Sequence, residues 1–264
     1  MGTGILASMT WLDSIILGIV EGLTEFLPVS STGHLILASE LLAIPDSAFL
    51  SSFMIAVQLG AIAAVVVRYW KRFLDFPFLL KLAAAFVPTG IVGLLVYPYV
   101  KEVLLASPMV VVWALALGGV ALIAFEYFHK EDAEAPENPR AITYRQALLV
   151  GAFQSIAIVP GVSRSAATIV GGLLSGMRRV AIVEFSFLLA VPTMLAATGY
   201  DLLKSYDTFA FDQVGLLALG FVTAFLVALL TMRTLIALVR RHSFVPFGIY
   251  RILLALVFYF VVLA

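Results

Sequence analysis

Glu21 and Glu25 stand four residues apart, a spacing that puts both carboxylates on one face of a helix. Two like charges so close repel each other, more strongly in a dry cavity than in water. A cation between them resolves the conflict. Hard carboxylate oxygens suit Mg²⁺ or Ca²⁺, which bridge a few protein oxygens to substrate phosphates, so a divalent cation is the expected cofactor with Glu21 and Glu25 as its metal ligands. The hydroxyls of Ser30, Ser31 and Thr32 follow, and then His34, a group that exchanges protons near neutral pH. A second polar cluster, Ser163, Arg164, Ser165 and Thr168, lies far along the chain. Arginine is always charged, and its planar fork grips a phosphate through two bonds. Helices that open just after such clusters add backbone N–H groups as an anion site. The catalytic candidates are Glu21, Glu25, Ser31, His34 and Arg164. Ser30, Thr32, Ser163, Ser165 and Thr168 are expected to contact substrate, with Gln58 in the cavity wall.

The two clusters are copies of one sentence. Gly18 aligns with Gly151, Glu21 with Gln154, Val29 with Val162, Ser30 with Ser163 and Thr32 with Ser165, all at an offset of 133 residues. Downstream, Phe53-Met-Ile-Ala-Val57 matches Phe187-Leu-Leu-Ala-Val191 after a slip of one residue. The chain therefore reads as one duplicated unit, with residues 1–128 as the first repeat, 129–142 as an acidic, proline-containing linker and 143–264 as the second repeat.

Everything around the clusters is apolar. Hydrophobic residues make up 62% of the 264 residues and charged ones 12%, against roughly 25% charged in soluble domains. The 16 basic and 16 acidic residues cancel, and nothing here calls for a nucleic acid partner. No basic segment precedes the first apolar run, so a cleaved signal peptide is not expected. A bilayer core takes about 20 apolar residues as a helix, and six stretches qualify, near 50–68, 79–98, 108–128, 181–203, 213–236 and 246–263. The motif regions 12–43 and 143–176 do not. Each is a pair of short apolar segments broken by Pro, Gly, Ser and Thr, the pattern of a re-entrant helix–loop–helix lining a protected cavity. The fold class expected is all-α and polytopic, with six transmembrane helices, two re-entrant pairs and an inverted-topology repeat.

Loop charge orients this layout, because cytoplasmic loops collect Lys and Arg. With loop 68–81 inside, twelve cations fall on the cytoplasmic side: Arg68, Lys71, Arg72, Lys81, Lys130, Arg140, Arg145, Arg178, Arg179, Arg233, Arg240 and Arg241. Lys101 and Lys204 fall outside, while Arg164 and Arg251 stay at membrane depth. Three spans between the broken pairs make them enter from opposite faces and meet near the midplane. Metal-type carboxylates, a phosphate-type arginine and membrane depth together describe a diphosphate carried by a lipid.

Plainer readings attach to each residue. Pro28, Gly33, Pro160 and Gly161 are structural breakers. Serines and threonines in membrane helices also serve as caps and helix glue, and Glu21, Glu25 and Arg164 could form an ion pair between the halves. Glu184 and Arg251 read equally as a helix-end pair or as support behind the site, and Glu126 sits at a membrane boundary where solvation is expected.

Glu21-x-x-x-Glu25 running into Leu27-Pro-Val-Ser-Ser-Thr-Gly-His34, together with Pro160-Gly-Val-Ser-Arg-Ser-Ala-Ala-Thr168, resembles the paired signatures of the bacterial undecaprenyl-diphosphatases of the bacitracin-resistance type. The resemblance extends over essentially the whole chain, through Gln58-Leu-Gly-Ala-Ile, Thr143-Tyr-Arg-Gln, Glu184 to Pro192 and Ser243-Phe-Val-Pro-Phe. It implies an inner-membrane enzyme that removes the terminal phosphate of undecaprenyl diphosphate and depends on a divalent cation. It also implies a site opening to the periplasm, and homodimers. The competing class is a secondary transporter or flippase of a lipid phosphate, since inverted repeats with broken helices are a transporter hallmark. Within the enzyme reading the nucleophile is Ser31, His34 or a water, with Ser31 favoured and His34 as proton shuttle.

Overall fold

The computed structural model describes residues 9–100, 104, 107–132, 134–205 and 213–263. Lys101 lies outside the described residues. Ten α-helices carry the fold, and no strand occurs among the described residues: α1 (Trp11–Thr24), α2 (Ser31–Leu41), α3 (Ala48–Tyr69), α4 (Phe76–Tyr99), α5 (Pro108–Phe128), α6 (Tyr144–Gln154), α7 (Arg164–Leu174), α8 (Arg179–Ser205), α9 (Val214–Val239) and α10 (Val245–Phe258). Six of them, α3, α4, α5, α8, α9 and α10, are long and apolar enough to cross a membrane, at the six places expected. This is a multi-pass membrane protein.

The remaining four form two short helical pairs, α1 with α2 and α6 with α7. Their helices start where the sequence supplies caps. Thr10 accepts from Asp13 N–H while the Asp13 carboxylate takes the Thr10 N–H, and Thr143 does the same with Gln146, so each pair opens on a capping box. Small residues then let backbones approach closely, as packing in lipid requires. A Cβ at Gly18 would lie 2.9 Å from the Gly220 carbonyl oxygen, and one at Gly22 would lie 2.7 Å from that of Ala224. With Ser14 Oγ donating to the Leu216 carbonyl at 2.8 Å, these contacts make α1 run parallel to α9 and stop beside its middle. α6 lies along α4 in the same way. Gly151 fits against the Ala85 carbonyl, and Thr89 Oγ1 donates to the Gly151 carbonyl at 2.9 Å. The second pair doubles back, because Gln146 Nε2, near the start of α6, donates to the Ser175 carbonyl just past α7, at 3.0 Å. The first helix of each sequence half thus packs on the fourth helix of the other, the second of its three spans.

One end of the molecule is tied by ion pairs. Arg72 meets Glu184 at 3.3 Å, Arg140 meets Asp75 at 2.7 Å, and Arg240 meets Glu137 at 3.4 Å. Arg179 pairs with Glu126 and with Glu131, and Arg178 with Glu131 and Glu137. Two expectations are corrected here. Glu126 is not solvated: its side chain is enclosed by the Arg179 fork and accepts the Phe244 N–H. Glu184 pairs with Arg72, not with Arg251.

Candidate active site

The two loop tips are built alike. Ser30 and Ser163 both have positive φ, 74° and 76°, a left-handed backbone that few residues other than glycine adopt. Each caps the helix that follows, Ser30 Oγ accepting from Gly33 N–H at 3.4 Å and Ser163 Oγ from Ala166 N–H at 3.2 Å. Residues at the starts of both helices, Ser31 and Thr32 of α2 and Arg164 of α7, line one cavity, and helix starts favour anions.

Between them sits the charged centre. Arg164, first residue of α7, reaches across to Glu25 of the opposite tip, Nη2 to Oε1 at 2.8 Å. Its other nitrogen donates to the Ser186 carbonyl and hydroxyl at 2.8 and 3.2 Å, and the guanidinium lies 6.0 Å over the Phe26 ring. The second Glu25 oxygen accepts the Ser31 hydroxyl at 2.6 Å. Ser31, Glu25 and Arg164 therefore form one continuous chain of bonds, brought together from residues 139 positions apart.

Glu21 is fully enclosed, and neither of its carboxylate oxygens has a hydrogen-bond partner. An unpartnered carboxylate without a counter-cation is among the costliest groups to bury. These two free oxygens, one helical turn from Glu25, fit a divalent cation. No cluster of three or more His, Cys, Asp or Glu exists among the described residues. A cation held here would thus draw its remaining ligands from phosphate and water, as Mg²⁺ commonly does.

A cavity of about 730 Å³ opens on this centre. Glu25, Ser30, Ser31, Thr32, Gln58, Ser163 and Arg164 line its polar end; Phe86, Ile91, Leu94, Ile158, Met194 and Ala197 line its walls. Along α8 the lining passes from Thr193 to Tyr200, and along α4 from Phe86 to Leu94. It therefore rises toward the ends of α4 and α8 that are opposite the ion-paired end.

Not every expected residue faces this space. Glu21 lies behind its lining. His34 turns toward α10, with Nδ1 2.7 Å from the Ser30 carbonyl oxygen and Nε2 2.7 Å from the Tyr250 hydroxyl. Ser165 donates to the Phe26 carbonyl at 2.7 Å, which locks one tip to the other. Thr168 bonds to Ser186 at 2.7 Å and to two carbonyls of its own helix. These last three hold the site together and do not line the cavity. Two residues outside the expected site list also matter to it. Gln154, aligned with Glu21 by the repeat offset, donates to Thr89 and Thr193 at 2.9 and 3.2 Å on the cavity wall. Arg251, fully buried, donates to the carbonyls of Val162, Gly161 and Pro28 at 2.8, 3.0 and 3.4 Å, and to that of Ala114 at 2.9 Å. It clamps both tips with no acidic partner among the described residues. The repeat offset could have marked Gln154; Arg251 stood out as a charge at membrane depth, and of its two readings the structure bears out support behind the site; nothing local marks Tyr250.

Residues 14–257 match the family described as "Bacitracin resistance protein BacA". The chain belongs to that family. It is 49% identical over 251 residues to the Undecaprenyl-diphosphatase of Sulfurihydrogenibium sp., covering 95% of this chain and 99% of the relative. It is 51% identical over 253 residues to that of Persephonella marina, covering 96% and 99%. The Undecaprenyl-diphosphatase of Aquifex aeolicus is 46% identical over 251 residues, covering 95% and 98%. The matched residues take in α6–α7 whole and all of α1–α2 except the first three residues of α1.

Proposed function

We infer that this protein hydrolyses undecaprenyl diphosphate to undecaprenyl phosphate and inorganic phosphate, recycling the lipid carrier for peptidoglycan synthesis and conferring resistance to bacitracin. The observation that carries the chemistry is the Ser31–Glu25–Arg164 chain at the closed end of an apolar-walled cavity. A serine needs an adjacent base to become a nucleophile, and Glu25 sits 2.6 Å from its hydroxyl. Ser31 Oγ attacks the terminal phosphorus, its proton passes to Glu25, and the lipid monophosphate leaves. Water then hydrolyses the phosphoserine to free phosphate and restores the hydroxyl. Phosphoryl transfer is mostly positioning and charge stabilisation. Arg164 holds the oxygens of the transferred group, helped by the N–H groups that open α2 and α7 and by Ser30, Thr32 and Ser163 on the lining. Glu21 and Glu25 would hold the divalent cation, which supplies further neutralisation of the phosphate charge. His34, bonded at both ring nitrogens, acts as a brace for the loop tip in place of the proton shuttle first expected.

The setting is part of the same proposal: two inverted halves, re-entrant pairs meeting near the midplane, an inner-membrane location with the cavity open to the periplasmic side, and a homodimer. The parallel course of α1 along α9 and of α6 along α4 supports the inversion. The test is phosphate release from undecaprenyl diphosphate by detergent-solubilised protein with Mg²⁺ or Ca²⁺, where no membrane exists to transport across. Release is expected. Absence of release, with movement of lipid phosphate between leaflets of proteoliposomes, would replace this reading with a transporter.

A further inference from the structure

Tyr250 precedes Arg251 on α10, and Arg251 reaches the carbonyls of both loop tips. Tyr250 therefore lies beside the tips. The residue is 45% exposed, yet its hydroxyl turns to His34 Nε2 at 2.7 Å, and the two rings lie within 9° of parallel. The other ring nitrogen sets the direction of that bond. Nδ1 faces the Ser30 carbonyl oxygen at 2.7 Å, and a carbonyl can only accept. Nδ1 thus carries the hydrogen, and in the neutral ring Nε2 presents a lone pair to which the phenol O–H donates.

The carbonyl held by His34 belongs to the residue with φ 74°. A left-handed non-glycine backbone costs on the order of 1–3 kcal/mol and persists only where its surroundings hold it. The next residue is Ser31, bonded to Glu25. By the repeat offset of 133, His34 aligns with Ala167 and Ser31 with Arg164. The second tip has no imidazole at the matching position, so this brace belongs to the tip that bears the hydroxyl.

We propose that Tyr250 is a positioning residue: by donating to His34 Nε2 it fixes the imidazole that holds the Ser30 carbonyl, and so aims Ser31 at Glu25 and at the substrate. The proposal rests on Ser31 and Glu25 being the reacting pair. Tyr250→Phe keeps the ring and removes only the hydroxyl. In the purified variant kcat should fall about tenfold while KM stays within roughly twofold, the pattern of an interaction expressed in the transition state, with thermal unfolding unchanged. The protein has three histidines, so ¹⁵N-histidine spectra in detergent, with His34 assigned through His34→Gln, read the bond directly and without substrate. The Nε2 resonance of His34 should move to that of an unbonded ring nitrogen while Nδ1 keeps its hydrogen. Wild-type kcat in Tyr250→Phe, a loss confined to KM, or an unmoved Nε2 resonance would each overturn the proposal. A wild-type protein that releases no phosphate would instead sink the functional reading, and the nitrogen resonance would still decide the bond.

Discussion

Glu25 does two things with one carboxylate: one oxygen orients Arg164 and the other accepts the Ser31 hydroxyl. Glu25→Gln preserves the shape but removes both the base and the charge facing Arg164. Turnover should fall by at least about a hundredfold, the usual worth of general-base catalysis, as measured by phosphate release. Ser31→Ala should be comparably damaging; a variant retaining more than roughly a tenth of the wild-type rate, a loss of about 1.4 kcal/mol or less, would eliminate the serine as nucleophile and leave water. Arg164→Lys should be nearly as inactive as Arg164→Ala. The guanidinium serves Glu25 and Ser186 through separate nitrogens, and an ammonium cannot span both. Glu21 makes no protein hydrogen bond to lose, so Glu21→Gln should act through the cation. The divalent concentration giving half-maximal activity should rise, and an unchanged requirement would remove Glu21 from the metal site.

Each loop tip depends on a capping serine in a conformation that favours glycine. Ser163→Ala removes the cap on α7, worth about 1 kcal/mol, and leaves the left-handed backbone in place. Ser163→Gly loses the same cap but relaxes the backbone. Thermal unfolding in detergent should therefore rank wild type first, the glycine variant next and the alanine variant last, and a glycine variant below the alanine one would contradict the strain argument. The tips also mark where sequence reading reaches its limit. The six spans were legible because length and apolarity decide a bilayer helix, and the broken pairs because Pro28, Gly33, Pro160 and Gly161 interrupt them. The orientation of side chains at the tips was not. Ser165 and Thr168 carry the same hydroxyl as Ser31 and Thr32, His34 is as polar as they are, and what turns these three away from the cavity is a partner supplied by another element: the Phe26 carbonyl, Ser186 and Tyr250. Arg251 was ambiguous for the same reason, since its acceptors are main-chain carbonyls that no residue type announces.

At the scale of the whole molecule, the ion-paired end and the cavity mouth lie at opposite ends of α4 and α8. Arg72, Arg140, Arg178, Arg179 and Arg240 gather at one end, while Leu94, Ala197 and Tyr200 line the cavity toward the other. The proposed orientation puts the first end, with its excess of Lys and Arg, in the cytoplasm, and would leave the cavity open to the external side. The chain contains no cysteine, so single introduced thiols report cleanly on that assignment. Glu134→Cys lies on the exposed linker at the ion-paired end and Ala197→Cys is exposed at the cavity wall. A thiol reacts as its thiolate and so needs access to water, which the wall of a cavity that admits a diphosphate provides. In intact cells a membrane-impermeant maleimide should label Ala197→Cys, and excess diphosphate substrate should slow that labelling by filling the cavity. Glu134→Cys should react only after the membrane is permeabilised. The reverse pattern would invert the molecule in the membrane, and labelling of Ala197→Cys from the cytoplasmic side alone would place the substrate entrance on the face where the cations gather.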